Sequence, residues 1–189
     1  MPKRFTESEK EHIRTALIAA CKKSWSIHGY RKTVVGELCA SVGISTGAFY
    51  LFYDSKEALF CDVMDDFQQS TKRMYDQMLS KPPTKDEIRQ VLKQLYLEYA
   101  ANEIITKRHT PDYKSLLNKL PQAWKDKHAA NSESIMAKTL FAPKLKMGHE
   151  RAHGIIDTLL LTVANKHTIP DHYEIFCTLL DCVIGEIYE

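Results

Sequence analysis

Several features that would mark a secreted or membrane-bound protein are scarce or missing in this sequence of 189 residues. Its five cysteines are odd in number and none lies in a Cys-x-x-Cys pair, so we expect reduced thiols rather than a disulfide framework. No apolar signal segment follows Met1, and the longest apolar stretch, Ile155 to Ala164, is short and interrupted by Asp157. We therefore expect a soluble cytoplasmic protein with no membrane partner.

Strand-like alternation and internal repeats are also missing from the sequence. Apolar residues recur instead at spacings of three and four, which is the helical period, and 44% hydrophobic residues are enough for a core. We predict an all-α fold of about nine helices. The predicted helices are residues 7–28, 34–41, 45–52, 55–79, 86–101, 112–119, 122–140, 150–166 and 171–188.

Net charge is small overall, at +2, but it is unevenly distributed. Residues 1–60 contain nine basic and six acidic residues, which leaves 17 basic and 18 acidic residues for the remainder. The first third, at +3 against −1, is therefore the better place for a polyanion to bind.

The stretch from Gly43 to Glu57 combines a glycine turn with five bulky residues, Phe49 to Tyr53. Gly43 suits a left-handed turn after one helix, and Ser45 suits the N-cap of the next. On that short helix Phe49, Phe52 and Tyr53 share one side, whereas Thr46, Gly47, Tyr50 and Leu51 share the other. We expect the first set to be buried and the second to face solvent.

A second start signal follows at once. Asp54 and Glu57 have the spacing of a capping box, which would place Lys56 in the first turn of a long helix with its backbone N–H and ammonium group facing an anion. A short helix anchored from behind, preceded by another helix and flanked by lysines, has the geometry of a helix-turn-helix whose second helix enters the major groove of DNA.

Residues 29–59 resemble the DNA-binding domain of the TetR family of bacterial transcriptional regulators. The matching residues are Gly29, Thr33, Gly43, Ser45, Gly47, Phe49, Tyr50, Ser55, Lys56, Glu57 and Leu59. The resemblance implies a three-helix DNA-binding domain, residues 1–54, joined to an effector-binding and dimerisation domain, residues 55–189. It also implies a dimer that binds a palindromic double-stranded operator, most often as a repressor, and that a small-molecule effector releases.

The resemblance further assigns roles to individual residues. Thr33, Tyr50 and Lys56 would hold phosphates, whereas Thr46, Gly47 and Ala48 would face base edges. The full set of expected DNA contacts is Lys32, Thr33, Val34, Ser45, Thr46, Gly47, Ala48, Tyr50, Leu51, Phe52 and Lys56. Ala48, Phe52 and Gly36 depart from the family pattern and leave fewer side-chain donors, although Ala48 can still contact a thymine methyl.

The last two predicted helices have apolar stripes too broad for one partner helix. We expect one face of each to pack inward and the other against a second copy, in the four-helix dimer bundle that the resemblance also implies. The expected interface residues are Ile156, Leu159, Leu160, Val163, Phe176, Leu179, Leu180, Val183 and Ile187. A helix hairpin buried wholly within one monomer is the alternative.

By resemblance, the helices between about residues 62 and 146 would form the effector pocket. Its candidate lining residues are Tyr96, Tyr99, Glu103, Tyr113, Trp124 and Phe141. No constellation selects an effector, an operator sequence or a regulated gene, and we expect no cofactor.

Two alternatives come from other stretches of the sequence. His149 to His153 reads His-Glu-x-x-His, the helical zinc signature of hydrolases, with Glu174 as a conceivable third ligand. The plain interpretation is a solvated first helical turn, so we expect neither a metal site nor an enzyme. Cys177 and Cys182 raise a thiol-responsive regulator, but they point about 140° apart on a helix and pack more simply as small apolar residues.

Overall fold

The computed structural model describes residues 5–107 and 110–189, and it confirms the all-α prediction for them. These residues form ten α-helices, one 3-10 helix and an isolated β-bridge between Leu145 and Tyr188. The α-helices are α1 (Glu7–His28), α2 (Val35–Val42), α3 (Thr46–Phe49), α4 (Lys56–Met78), α5 (Lys85–Ala101), α6 (Glu103–Thr106), α7 (Pro111–Lys119), α8 (Gln122–Lys138), α9 (His149–Leu161) and α10 (His172–Ile187).

Local signals explain several helix ends. Thr6 and Glu9 form a capping box at the start of α1, and Thr84 and Glu87 form another at the start of α5. α1 ends at Gly29, whose φ of 80° lies in the region that favours glycine and whose N–H donates to Trp25 O.

Two predicted helices are clearly shorter in the structure, and one short helix was not predicted. α3 is only four residues long, because after Phe49 the chain tightens into i→i+3 turns, with Leu51 N donating to Ala48 O at 3.0 Å. The helix predicted to reach residue 166 ends at Leu161 and continues as a 3-10 helix, Thr162–Asn165. The short α6 was not predicted.

The chain divides into two compact units. The first contains the described parts of residues 1–67 and 108–125, and the second contains residues 68–107 and 126–189. Both boundaries at 67 and 125 fall inside helices, α4 and α8. The units do not coincide with the domains predicted from the sequence, and the functional boundary at residue 54 stays a prediction.

Several large aromatic residues pack together in the core of the first unit. Trp25 packs edge-on against Phe60 at 4.8 Å and stacks on Tyr113 of α7 at 6.1 Å, measured between ring centroids. Leu17, Leu59 and Leu116 are fully buried. α7 therefore belongs to the core beneath the helix-turn-helix, although it lies some fifty residues further along the chain.

The second unit is built on α5, α9 and α10, which share one core with the second half of α4. Ile88, Leu92 and Tyr96 of α5 are buried there together with Ile156 and Leu180. Tyr96 stacks on Phe176 with ring centroids 4.0 Å apart. Within residues 5–107 and 110–189, none of the helices is long and apolar enough to cross a membrane.

Candidate nucleic-acid interface

The turn between α2 and α3 is set by two residues. Gly43 adopts φ 78° and ψ 28°, the left-handed conformation, and its N–H donates to the end of α2. Ser45 then accepts a hydrogen bond from Ala48 N through its hydroxyl oxygen, at 3.1 Å, and so caps α3. The result is a tight helix-turn-helix, as the sequence predicts.

α3 and the turn that follows it, residues 50–53, have a buried rear and an exposed front. Phe49, Phe52 and Tyr53 are buried, and the Phe49 ring lies 5.4 Å from that of Tyr50, edge-on. Tyr50 is 57% exposed and Leu51 64% exposed. Packing against the first unit, rather than helix propensity, therefore holds these four residues in place, because a helix of one turn is not stable alone.

The loop before α2 is held from below by the first turn of α4. The ammonium group of Lys56 donates to Tyr30 O at 3.0 Å and to Thr33 O at 3.1 Å, and it lies over the Tyr30 ring. Burial lowers the pKa of this lysine. The Glu57 carboxylate accepts a hydrogen bond from the Tyr30 hydroxyl.

These contacts correct two expectations. The predicted Asp54–Glu57 capping box does not form, because Ser55 caps α4 by accepting from Ala58 N, and Glu57 turns to Tyr30 instead. Lys56 does not extend its ammonium group outward towards an anion; two backbone carbonyls already occupy two of its three donors.

Asp112, at the start of α7, holds the same loop from the other side. Its carboxylate accepts from Tyr30 N at 2.5 Å and from Arg31 N at 3.0 Å. A Cβ atom at Gly29 would lie 2.6 Å from Asp112 Oδ2, so only glycine fits beside this carboxylate. No local pattern predicts this contact, since Asp112 is an ordinary first-turn acidic residue in the sequence and lies 82 positions from Tyr30.

The remaining predicted DNA contacts fall into two groups. Lys32, Val34, Ser45, Thr46 and Gly47 are exposed, and Ala48 is half-buried. Thr33 is only 1% exposed, and its hydroxyl donates to Gly29 O and accepts from Ser24. Phe52 is also buried, so neither the Thr33 nor the Phe52 side chain is placed to contact DNA, and the exposed residues stay predictions.

An open groove runs beside the front of α3. Phe5, His12 and Ile13 of the α1 region line one wall, and Gly47, Ala48 and Leu51 are among the residues of the other. Mostly apolar and small side chains therefore surround the exposed face of α3.

The six residues expected to line the effector pocket do not all lie in the same unit. Tyr113 and Trp124 belong to the first unit, where Tyr113 stacks on Trp25 and Trp124 Nε1 donates to Asp65 at 3.1 Å. The other four, Tyr96, Tyr99, Glu103 and Phe141, belong to the second unit.

Two of those four residues already have polar partners in the second unit. The Tyr96 hydroxyl lies 3.0 Å from His172 Nδ1. Glu103 accepts from the Lys166 ammonium group at 2.7 Å, and this hydrogen bond holds the pKa of Glu103 below its usual value. An effector that used the Glu103 charge would therefore compete with Lys166.

The structure changes the expected dimer interface. Most of the nine residues named from the sequence face the core of their own unit: Ile156, Leu159, Leu160, Val163, Phe176, Leu180 and Ile187 are buried, and Val183 packs against them. Only Leu179 is exposed, at 40%. The stripes looked too broad for one partner because they cover α5 and the end of α4 as well as each other. The exposed face of α10 carries Ile175, Thr178, Leu179 and Cys182 instead.

The zinc-like stretch lies at the start of α9. His149, Glu150 and His153 are exposed, and the two histidine rings lie 5.5 and 6.3 Å from the ring of Phe141. In the described part of the chain, no group of three or more His, Cys, Asp or Glu residues is placed to hold a metal ion. Cys177 is half-buried and Cys182 exposed.

The capped turn, the buried rear of α3 and its exposed front together define a helix-turn-helix protein. Residues 17–63 match the family model described as bacterial regulatory proteins, tetR family. This segment is therefore similar to the DNA-binding region of TetR-family regulators, as its sequence motif predicts.

Curated relatives match over part of the chain. A segment of 73 residues is 28% identical to YdgC, an HTH-type transcriptional regulator of Bacillus subtilis (strain 168), and covers 39% of this chain. The matched segment covers only 37% of the length of that relative.

Solved structures match over nearly the whole chain. A TetR family regulator from Marinobacter aquaeolei VT8 gives a TM-score of 0.70 at 12% identity, over 96% of this chain and 98% of that one. The regulator FadR from Bacillus subtilis, in complex with stearoyl-CoA, gives 0.67 at 16% identity, over 92% and 99%. At these identities the likeness extends the shared fold to the second unit.

Proposed function

We propose that this chain is a ligand-responsive transcriptional regulator that binds a palindromic operator through α3 and acts as a repressor. One observation carries the proposal: the four-residue helix α3 and the turn after it are anchored by buried aromatic residues and present Thr46, Gly47, Tyr50 and Leu51 to solvent. The small residues Thr46 and Gly47 let such a helix approach the base edges of the major groove closely.

Phosphate contacts come from the exposed part of the α1–α2 loop in this proposal. Arg31 and Lys32 are exposed beside the start of α2, where no side chain caps the first N–H groups. Thr33 and Lys56 then act indirectly, since both hold the loop in shape. Phosphate contacts fix position, and base contacts give sequence preference.

A gel shift with the DNA upstream of the gene, against random duplex competitor, tests the proposal. Lys32→Ala should weaken binding to both DNAs and reduce the salt slope by about one. Thr46→Ala should chiefly relax the preference for the operator. Lys138→Ala, an exposed lysine at the end of α8, is the matched control. Binding without any sequence preference would refute the regulator.

We further propose a homodimer, because one α3 contacts only a few base pairs and useful affinity needs two half-sites. The exposed stripe of α10, Ile175, Thr178, Leu179 and Cys182, replaces the interface predicted from the sequence. Light scattering should give twice the chain mass of 21.7 kDa. Leu179→Arg should reduce it to the monomer, whereas Leu97→Arg, at an exposed leucine of α5, should not.

A small-molecule effector completes the proposal. FadR, which shares the fold, was solved with stearoyl-CoA, so an acyl-CoA series is the first set to test, with coenzyme A alone as control. An effector that prefers the form unable to bind DNA shifts the population away from the operator-bound state. A compound that raises the melting temperature and also releases operator DNA would meet both requirements; one that stabilises the protein without release would not be its effector.

A further inference from the structure

The exposed front of α3 is unusual in the chemistry that it offers to DNA. We call Thr46, Gly47, Ala48, Tyr50 and Leu51 the recognition surface. None of these residues carries a charge or a side-chain amide. The polar groups are two hydroxyls, and the rest of the surface is a methyl group, an isobutyl group, an aromatic ring and a bare glycine.

Each base edge in the major groove is recognised best by a different kind of side chain. Guanine is read best by arginine or lysine and adenine by asparagine or glutamine, whereas the C5-methyl group of thymine is read by apolar contact. The recognition surface lacks all four of the long polar side chains but has three apolar groups, on Ala48, Tyr50 and Leu51. The neighbouring Ser45 hydroxyl already accepts from Ala48 N.

The apolar groups are held well enough to discriminate. The Tyr50 ring packs edge-on against Phe49, which is fully buried, so the ring has a fixed support. Leu51 and Ala48 line the groove shared with Ile13 of α1. Gly47 adds no side chain between them and an approaching base pair. The exposed cations Arg31 and Lys32 give this part of the protein the charge complementarity that duplex DNA requires.

We propose that the recognition surface selects its operator mainly by apolar contact with thymine methyl groups, through Ala48, Tyr50 and Leu51. This inference rests on the proposed function, since it specifies how α3 reads DNA. Half-sites then carry thymine at the positions that face these residues. Guanine-specific hydrogen bonds contribute little to the preference.

The test separates the methyl group from the rest of the base. Operator duplexes are selected from a random library, and each conserved thymine is replaced in turn by deoxyuridine, which lacks only the C5-methyl group. Each contacted methyl should be worth about fourfold in affinity, the factor expected for one buried apolar carbon, and its symmetric replacement in both half-sites about the square of that. Thymines outside the footprint should tolerate replacement.

Protein variants assign the effect to the recognition surface. Leu51→Ala should lose the discrimination between thymine and uracil at its own position and keep it elsewhere, because Leu51 is exposed and its truncation leaves the core intact. Leu97→Ala, an exposed leucine outside the first unit, should keep the discrimination everywhere.

Three outcomes would overturn either the methyl readout or the proposed function. Selective operator binding that is indifferent to every deoxyuridine replacement would overturn the methyl readout and leave the regulator standing. Failure to select any preferred duplex would overturn the proposed function itself. Discrimination that survives unchanged in Ala48→Gly, Tyr50→Ala and Leu51→Ala would also overturn the readout, because the methyl groups would then be read by other residues.

Discussion

Asp112 should stabilise the helix-turn-helix unit by several kcal/mol, about 2–4, although its side chain is only partly buried. Its carboxylate accepts from the backbone N–H groups of Tyr30 and Arg31, which lie in the loop that leads into α2. Asp112→Ala would remove both hydrogen bonds at once. Tyr30 is 2% exposed, so its N–H would be left without a partner in a place that water reaches poorly.

The expected loss can be worked out from these two groups. A hydrogen bond to a charged group contributes about 1.5–3 kcal/mol, but Arg31 is exposed and its N–H can be resolvated by water. One buried unsatisfied N–H, together with the lost charge at the N-terminus of α7, gives a destabilisation of about 2–4 kcal/mol.

Tryptophan fluorescence during urea unfolding is a suitable assay, because both tryptophans, Trp25 and Trp124, lie in the first unit. Glu7→Ala is a matched control in the same unit: Glu7 likewise lies in the first turn of its helix, but it is exposed and pairs with Lys10 of the same helix, α1. It should cost far less than Asp112→Ala. Equal losses for the two variants would refute the loop-holding role of Asp112.

Gly29 offers a second arm of the same experiment. Gly29→Ala forces a side chain into φ 80° and ψ 174°, a region almost restricted to glycine, at a cost of about 1–3 kcal/mol. It also places a methyl group against Asp112 Oδ2. The substitution should therefore cost less in the Asp112→Ala background than in the native protein. Strict additivity would show that the carboxylate does not constrain this position.

Three further predictions concern groups of the same unit and of α10. Burial alone would raise the pKa of Glu57, but the hydrogen bond from Tyr30 and its other partners outweigh burial and hold the pKa below its ordinary value of 4.5. Its stabilisation is therefore present above about pH 4.5 and is lost as the pH falls through the folded-state pKa, and Glu57→Gln should flatten the acid limb of the urea midpoint against pH; an unchanged limb would contradict this. Lys56→Met should lower the urea midpoint but leave the salt slope of DNA binding unchanged, because the ammonium group is used inside the protein; a slope reduced by about one would show a phosphate contact instead. Burial raises the pKa of Cys61 to about 11, and the buried thiols of Cys21, Cys39 and Cys61 should react with a thiol reagent only in urea. Cys182 should react in the native protein once Leu179→Arg has exposed α10. Rapid reaction of a buried thiol without urea would argue against this core.

Much of the helical pattern was predictable because local chemistry determines it. α1 begins and ends where the sequence predicts, since Thr6, Glu9 and Gly29 encode both ends within a few residues. The orientation of α3 was predictable for a similar reason: a helical turn of 100° per residue separates Phe49 from Tyr50 whatever the rest of the fold does.

Contacts between distant segments were not predictable in the same way. Nothing in the neighbourhood of Lys56 indicates that its ammonium group turns inward, because the carbonyls that it contacts belong to residues 30 and 33. The apolar stripe of α10 could be read equally as an interface or as a core. Its buried residues, such as Phe176 and Leu180, are distinguished from exposed Leu179 only by where α5 lies.

The path of the chain limits how this protein can be divided or recombined. A fragment that stops at residue 67 keeps the whole helix-turn-helix but loses Tyr113 and Leu116, which cover Trp25 and fill the core beneath it, as well as the carboxylate of Asp112. Such a fragment would therefore expose Trp25 and leave part of its core unfilled. A fusion that joins this helix-turn-helix to a different effector-binding domain should therefore include residues 110–125, although they lie far along the chain from residue 67.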